Sequence, residues 1–290
     1  MKIIFVLVGL VLAVAAYEPI TLDYHETIGI PEANRIMLAE KALDFDGARI
    51  VGGQNSNLGQ HPHLAGLIID LGTRNSVCGS SLLSNTKLVT AAHCWRDIRN
   101  QALRFTVVLG TIRLYTGGTR IVTTSVELHS GYNPQNLNDD LAIITISHVN
   151  FNNNINRIAL ATGNNNYIGS TATAAGFGRY GDGKHVNLQV IDNDYCTRIY
   201  GPDVVRSSTL CTAGGRVNIC NGDSGGPLAF GSGTNRLLIG VVSFGSRSGC
   251  NRGHPGGFSR VTSYMFLYKL ICKTGRYKRD VKQMLKYMST

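Results

Sequence analysis

From Ile50 onward, no apolar run in this chain is longer than one or two β-strands, and this limits the fold more than any other feature. Short stretches rich in Val, Ile, Leu and Thr, such as HLAGLIIDL, FTVVLGTIRLY, TRIVTTSVEL, DLAIITI and LLIGVVSFG, alternate with turns of Gly, Asn and Ser. Branched side chains suit a pleated, half-buried surface, and many short strands at spacings of about 8–12 residues indicate an all-β barrel or sandwich. Helical periodicity shows in two places. One is PEANRIMLAEKALDF, which starts on a Pro and lies before Arg49; the other is the stretch from Thr262 on.

The chain opens on MKIIFVLVGLVLAVAA, one positive charge followed by an apolar run that ends in small residues, as a cleaved secretory signal does. That run is shorter than the roughly 18 residues a membrane span needs, so a membrane anchor is not expected. Secretion implies an oxidising compartment. The seven cysteines, Cys78, Cys94, Cys196, Cys211, Cys220, Cys250 and Cys272, therefore read as three disulfides and one left over. Their spacing fits no zinc motif, and neither a metal nor a cofactor is expected. Charge divides the chain at Arg49. Residues 17–49 hold seven acids against three bases, so the remainder is more basic than the formal +10 of the whole. In a secreted chain this excess does not indicate a nucleic-acid partner.

Three local features carry chemistry. LVTAAHCW puts His93 at the end of an apolar strand, NDDLAIITI opens a strand with an acid, and CNGDSGGPL holds Ser224 in a glycine-rich turn. Each alone has a structural reading as a strand end, a turn residue or a tight loop. Together they supply a base, an orienting acid and a nucleophile, the set required for acyl transfer.

RIVGG, TAAHC, DLAI and GDSGGP occur here in the order in which they occur in chymotrypsin-like serine proteases, and the resemblance covers Ile50 to about Leu270. Within that family the chain looks closest to insect digestive chymotrypsins. The resemblance implies two six-stranded antiparallel Greek-key β-barrels, about residues 50–156 and 157–270, with a C-terminal helix. Residues 1–16 would then be the signal, 17–49 an activation propeptide, and 271–290 a basic C-terminal extension. Ser224 would be the nucleophile, His93 the general base and Asp140 its orienting acid, chosen over Asp139 because it directly precedes LAI. The backbone N–H groups of Gly222 and Ser224 would form the oxyanion hole.

The same resemblance gives Arg49 a purpose. Cleavage after it would free the amine of Ile50 to pair with Asp223, and the cysteine-free propeptide would then leave. It also implies the pairs Cys78–Cys94, Cys196–Cys211 and Cys220–Cys250, where sequence alone leaves the pairing open. Asn218 would lie at the floor of the specificity pocket, with Gly245 and Gly256 as walls. An uncharged, roomy slot of that kind prefers large apolar or aromatic side chains. Ser243, Phe244 and Gly245 would pair with the substrate backbone as an edge strand. Expected partners are protein and peptide substrates, a trypsin-like activating protease and protein protease inhibitors, with the enzyme itself monomeric in a digestive lumen.

Three rival readings are weaker. Gly222 to Gly226 also fits the nucleophile elbow of α/β-hydrolases, but that fold needs Ser, acid and His in this order, and the one acid after Ser224, Asp280, follows His254. A non-catalytic homologue would be expected to have lost a triad residue, and all three stand. A narrow-specificity cascade protease would be expected to carry a cysteine-rich module before Arg49, and residues 17–49 hold no cysteine.

Overall fold

In a computed structural model, the structure describes residues 16–42, 54–178, 184–216 and 218–264. The signal, Arg49, Ile50, Cys272 and the basic tail lie outside the described residues. So does the C-terminal helix beyond the turn at Val261–Ser263, which is a single 3-10 turn.

Two sheets carry the chain. The first comprises β2 (Leu64–Asp70), β3 (Asn75–Ser84), β4 (Lys87–Thr90), β5 (Arg104–Leu109), β6 (Thr119–Thr123), β7 (Val126–Leu128) and β8 (Ala142–Thr145), in the order β6-β5-β2-β3-β4-β8-β7. The two ends of that path, β6 and β7, are one stretch of chain bent at Thr124–Ser125. The sheet therefore closes on itself, and counting the bent stretch once gives six strands. Closure removes the exposed edges that would otherwise invite pairing with other chains.

The second sheet comprises β1 (Gln54–Asn55), β9 (Ala159–Leu160), β10 (Thr171–Gly176), β11 (Lys184–Ile191), β12 (Thr209–Thr212), β13 (Pro227–Phe230), β14 (Leu237–Phe244) and β15 (Gly256–Arg260). Here β11 pairs with β12 as well as β10, so six strands close into a ring and the two-residue pieces β1 and β9 attach outside it. Every pairing is antiparallel except β9 with β14.

Leu67, Leu82, Leu88, Phe105 and Leu109 fill the first barrel, and Leu188, Leu210, Leu228, Ile239 and Phe258 fill the second. Leu141, Ile143, Leu238 and Val241 form the seam between the barrels, contributed from both sides. Three disulfides join Cys78–Cys94, Cys196–Cys211 and Cys220–Cys250, the pairs the resemblance implies.

Two helices lie outside the barrels. The expectation that only the end of the chain beyond Ile50 is helical is corrected by α2 (Asn193–Tyr200), which follows β11. Asp192 caps it by accepting from the Asp194 N–H, and the disulfide cysteine Cys196 and Tyr200 are its buried side. Eight residues are too few for an apolar period to declare itself in the sequence. The other helix, α1 (Ile30–Lys41), carries Pro at its start and is the helix expected before Arg49. It is not a free appendage. Ala33 and Ile36 pack with Leu64, Val77, Val108 and Leu114 of the first barrel and with Ala175 and Phe177 of the second.

Candidate active site

The site lies where the two barrels meet. His93 sits in the 3-10 turn Ala92–Cys94 that ends β4, pinned from one side by the Cys78–Cys94 bridge. The joined sulfurs of Cys78 and Cys94 lie beside the ring, and being joined they offer no thiolate to a metal. Asp140 opens β8 from below and is wholly buried. Its Oδ1 accepts from the His93 backbone N–H at 2.9 Å, and its Oδ2 lies 2.7 Å from His93 Nδ1 and accepts from Ser243 Oγ at 2.6 Å. Three donors hold the carboxylate in one orientation and satisfy its charge, which is what a buried acid requires. The geometry takes Nδ1–H as the donor and leaves Nε2 as the basic nitrogen.

Asp139 does something else. It adopts a left-handed φ of 53° and is partly exposed beside His129, so it makes the turn that aims Asp140 inward.

Ser224 is brought to the same place by backbone. Its carbonyl accepts from Gly79 N–H of β3 at 2.7 Å, and Gly225 N–H donates to Val242 of β14 at 2.8 Å, so the turn is tied to both barrels. Gly225 has φ 79°, and a Cβ there would run into Thr90 Oγ1, which explains the glycine after the serine. Gly222 likewise has φ 91°, and a Cβ on it would stand 2.8 Å from Gly178 Cα. Asp223, between them, is partly buried. Its Oδ1 accepts from Gly178 N–H at 3.0 Å and its Oδ2 from Cys220 N–H at 2.9 Å. Desolvation pushes its carboxyl up to about 6, outweighing the pull of those two N–H groups.

A cavity of about 410 Å³ opens beside Ser224. Asn218 to Asn221, Val242 to Arg247, Cys250 and His254 line it, and the Cys220–Cys250 bridge ties its two walls together. Asn218 is nearly buried. Its Nδ2 donates to His254 O at 2.9 Å and its Oδ1 accepts from Ile219 N–H at 2.8 Å, so the floor is polar but uncharged. Gly245 lines the cavity as expected. Gly256 adjoins the floor, for a Cβ there would stand 2.9 Å from Asn218 Oδ1. Phe244 is fixed edge-on against Tyr200 at 5.3 Å.

Sequence reasoning missed one contributor altogether. Thr21, Tyr24, Thr27 and Ile28, from the segment before Arg49, also line the cavity. The Tyr24 ring lies 4.7 Å from the His93 ring, its hydroxyl donates to Val77 O at 2.8 Å, and it lines the same cavity as Ser224. His93 Nε2 has no hydrogen-bond partner among the described residues. The one sequence signal that could have drawn attention is Tyr24-His25, an aromatic pair in a stretch otherwise read as a prelude to α1.

Comparison with known proteins agrees with this geometry. The family described as Trypsin matches residues 50–267. A collagenase from Hypoderma lineatum is 41% identical over 228 residues, covering 75% of this chain and 85% of that protein. Serine protease 1 from Drosophila melanogaster is 35% identical over 229 residues, covering 75% and 83%. Among solved structures, that of HL collagenase superposes with a TM-score of 0.69 at 37% identity, covering 78% of this chain and 98% of its own.

Proposed function

The chain belongs to the trypsin family and is a serine endopeptidase acting on protein substrates, and from that premise we propose that it is a secreted zymogen which, once cut after Arg49, cleaves peptide bonds after large apolar or aromatic residues. The observation that carries the reading is the buried His93–Asp140 pair beside Ser224, with uncharged Asn218 at the end of the adjoining cavity. Ser224 Oγ attacks the scissile carbonyl as His93 Nε2 takes its proton, and Asp140 stabilises the imidazolium that forms. The same proton passes to the leaving amine, and water repeats the sequence on the acyl-enzyme. The N–H groups of Gly222 and Ser224 receive the oxyanion, and losing one such donor typically costs about 3 kcal/mol of transition-state stabilisation. Asp223 carries the switch: pairing with the freed Ile50 amine would turn a costly buried carboxyl into half of an ion pair and fix the neighbouring Gly222.

Specificity follows from the cavity. With no carboxylate among Asn218, Gly245 and Gly256, a Lys or Arg side chain would lose its water without gaining a partner, whereas a Phe, Tyr, Leu or Met side chain gains by burial. A trypsin-like protease suits activation at a single Arg, and a digestive lumen suits an enzyme with so open a cavity. We take the active enzyme to be a monomer subject to protein inhibitors that mimic substrate. The likeness to a collagenase adds collagen to the substrates worth testing.

The test is hydrolysis of matched Phe-ended and Arg-ended peptide anilides before and after tryptic nicking at Arg49. Turnover of the Phe substrate that appears only after nicking supports triad, switch and pocket together. Preference for Arg overturns the role given to Asn218, and no turnover by a domain with an Ile50 terminus from which residues 17–49 have been stripped overturns the catalytic reading.

A further inference from the structure

We propose that the segment preceding the family-matched region, residues 17–42, is an inhibitor in its own right: a noncovalent strap that spans the cleft of the protease domain and blocks it until it dissociates. The inference rests on the proteolytic reading above and adds a second barrier to activation, distinct from the cut at Arg49.

The strap begins on the cavity side. Glu18 N–H donates to Ile199 O at 2.8 Å, Arg247 N–H donates to Pro19 O at 3.1 Å, and Ser246 Oγ donates to Glu18. This is the strand end next to Ser243–Gly245, where the residues of a substrate that precede the scissile bond would pair. Ile20 and Leu22 then pack on the apolar cluster of Tyr132, Leu137, Tyr200 and Phe244. Tyr24 arrives at the centre, buried, against His93 and in the cavity that Ser224 lines. Beyond it the chain passes to the far side of His93, where a departing amine and the residues after it would lie. There His25 N–H donates to Asp97 at 2.8 Å, His25 Nδ1 meets Ser76 Oγ at 2.8 Å, and Glu26 pairs with both terminal nitrogens of Arg74. The α1 helix continues over the first barrel, and Glu40 accepts from the N–H groups of Leu114 and Tyr115. The strap thus crosses the cleft with the polarity of a substrate.

It crosses without presenting a bond to be cut. Tyr24 has φ −53° and ψ −47°, and a tight helical turn follows at His25–Gly29. The Asp23 carbonyl is taken by the Thr27 N–H and hydroxyl, and the His25 carbonyl by the Ile30 N–H. Attack by Ser224 requires an extended chain with a free carbonyl pointing at the oxyanion donors. A helical turn folds its carbonyls into its own hydrogen bonds and withholds them. The blocking group is therefore a side chain, the Tyr24 ring, seated where the reacting group would sit.

The strap has features of a ligand as well as of a linker. It contains no cysteine, so only noncovalent contacts hold it after a cut at Arg49. It buries Tyr24, His25, Ile30, Glu32, Ala33 and Ile36 against the domain. Its excess of acids opposes a basic domain, which favours fast association and makes it sensitive to salt.

The experiment uses the full chain nicked at Arg49. Gel filtration should recover residues 17–49 with the protease domain, and anilide turnover should rise at least about tenfold on dilution or in high salt. Adding a synthetic 17–49 peptide should restore inhibition competitively. A Tyr24→Ala peptide should need about a hundredfold higher concentration, the usual consequence of truncating a buried aromatic anchor. A Leu38→Ala peptide, altered at an exposed position of α1, should inhibit within about twofold of the parent. Binding of a fluorescent peptide to the stripped domain is read separately by anisotropy. Full activity at every dilution, with no binding up to about 1 mM peptide, overturns the inference. Binding to a domain that hydrolyses nothing supports the strap and counts against the proteolytic reading. Equal inhibition by the parent and Tyr24→Ala peptides overturns the role given to Tyr24.

Discussion

Asp223→Asn offers the sharpest physical test of the switch, because its effect on stability must change with pH in a known direction. In the uncut chain the carboxyl is partly buried, hydrogen-bonded to the Gly178 and Cys220 N–H groups, and raised from 3.8 to about 6 chiefly by desolvation, with Glu32 adding to the rise and Arg35 opposing it. A group whose folded pKa lies above its unfolded value stabilises the fold below the unfolded pKa, near 4. That contribution is lost as pH rises through the folded pKa, near 6. A rise of about two pH units at 1.36 kcal/mol each makes the loss about 3 kcal/mol by pH 7. Asn carries no charge at any pH. Its cost, one acceptor replaced by a donor facing an N–H, is about 1–3 kcal/mol and does not titrate. Urea unfolding of the uncut parent and variant from pH 4 to 8 isolates the group by difference. This cancels the opposite trend of His25 and His61, whose pKa values burial lowers to about 4 and about 3, so that they stabilise at neutral pH and cease to in acid. The parent should lose about 3 kcal/mol relative to Asp223→Asn between pH 4 and 7. After nicking at Arg49 that loss should shrink or reverse, as the Ile50 amine becomes available. Parallel curves for parent and variant in the uncut chain would refute the argument.

Two further substitutions test the site itself. Asn218→Asp would place a carboxylate oxygen against His254 O, where an amide now donates, and only a cationic substrate would satisfy it. The ratio of kcat/KM for Arg-ended over Phe-ended anilides should rise at least about tenfold, and an unchanged ratio would remove Asn218 from the pocket. Ser243→Ala takes one of three donors from the Asp140 carboxylate, a charge-assisted bond of about 1.5–3 kcal/mol. Turnover should fall about tenfold or more, in kcat rather than in KM. An unchanged kcat would mean that the Ser243 hydroxyl does not help to hold the Asp140 carboxylate.

Much of the site was legible because its chemistry depends on local sequence. His93 and Ser224 each sit in a short motif shared with the family the chain resembles, and the structure gives their neighbours Cys94 and Gly225 backbone reasons: a bridge to Cys78, and a φ that favours glycine beside Thr90. Asp140 could be chosen over Asp139 because the acid of the family it resembles directly precedes LAI, and the structure buries Asp140 while Asp139 makes a left-handed turn. The apolar strands β2, β8 and β14 stand out for the same reason. Strands such as β10, TATAAG, and β15, GGFSR, carry little branched or apolar side chain, and only their ladders to β11, β13, β12 and β14 make them strands.

The strap was illegible for a different reason. The period of α1 announces an apolar face, but Ala33 and Ile36 read alike whether that face meets solvent, another chain or this one. The acid excess of residues 17–49 likewise shows only that the segment differs from the rest. In the folded chain those acids have separate tasks: Glu18 holds Ser246, Glu26 clamps Arg74, Glu40 caps backbone donors at Leu114 and Tyr115, and Glu32 lies buried on Arg35. A segment needed merely to delay the release of Ile50 could be any solvated peptide. One that buries a tyrosine on His93 and sets three carboxylates on groups of the domain has a sequence fitted to a surface. Residues 17–42 therefore work on the site directly, and cutting after Arg49 removes the tether without removing the block.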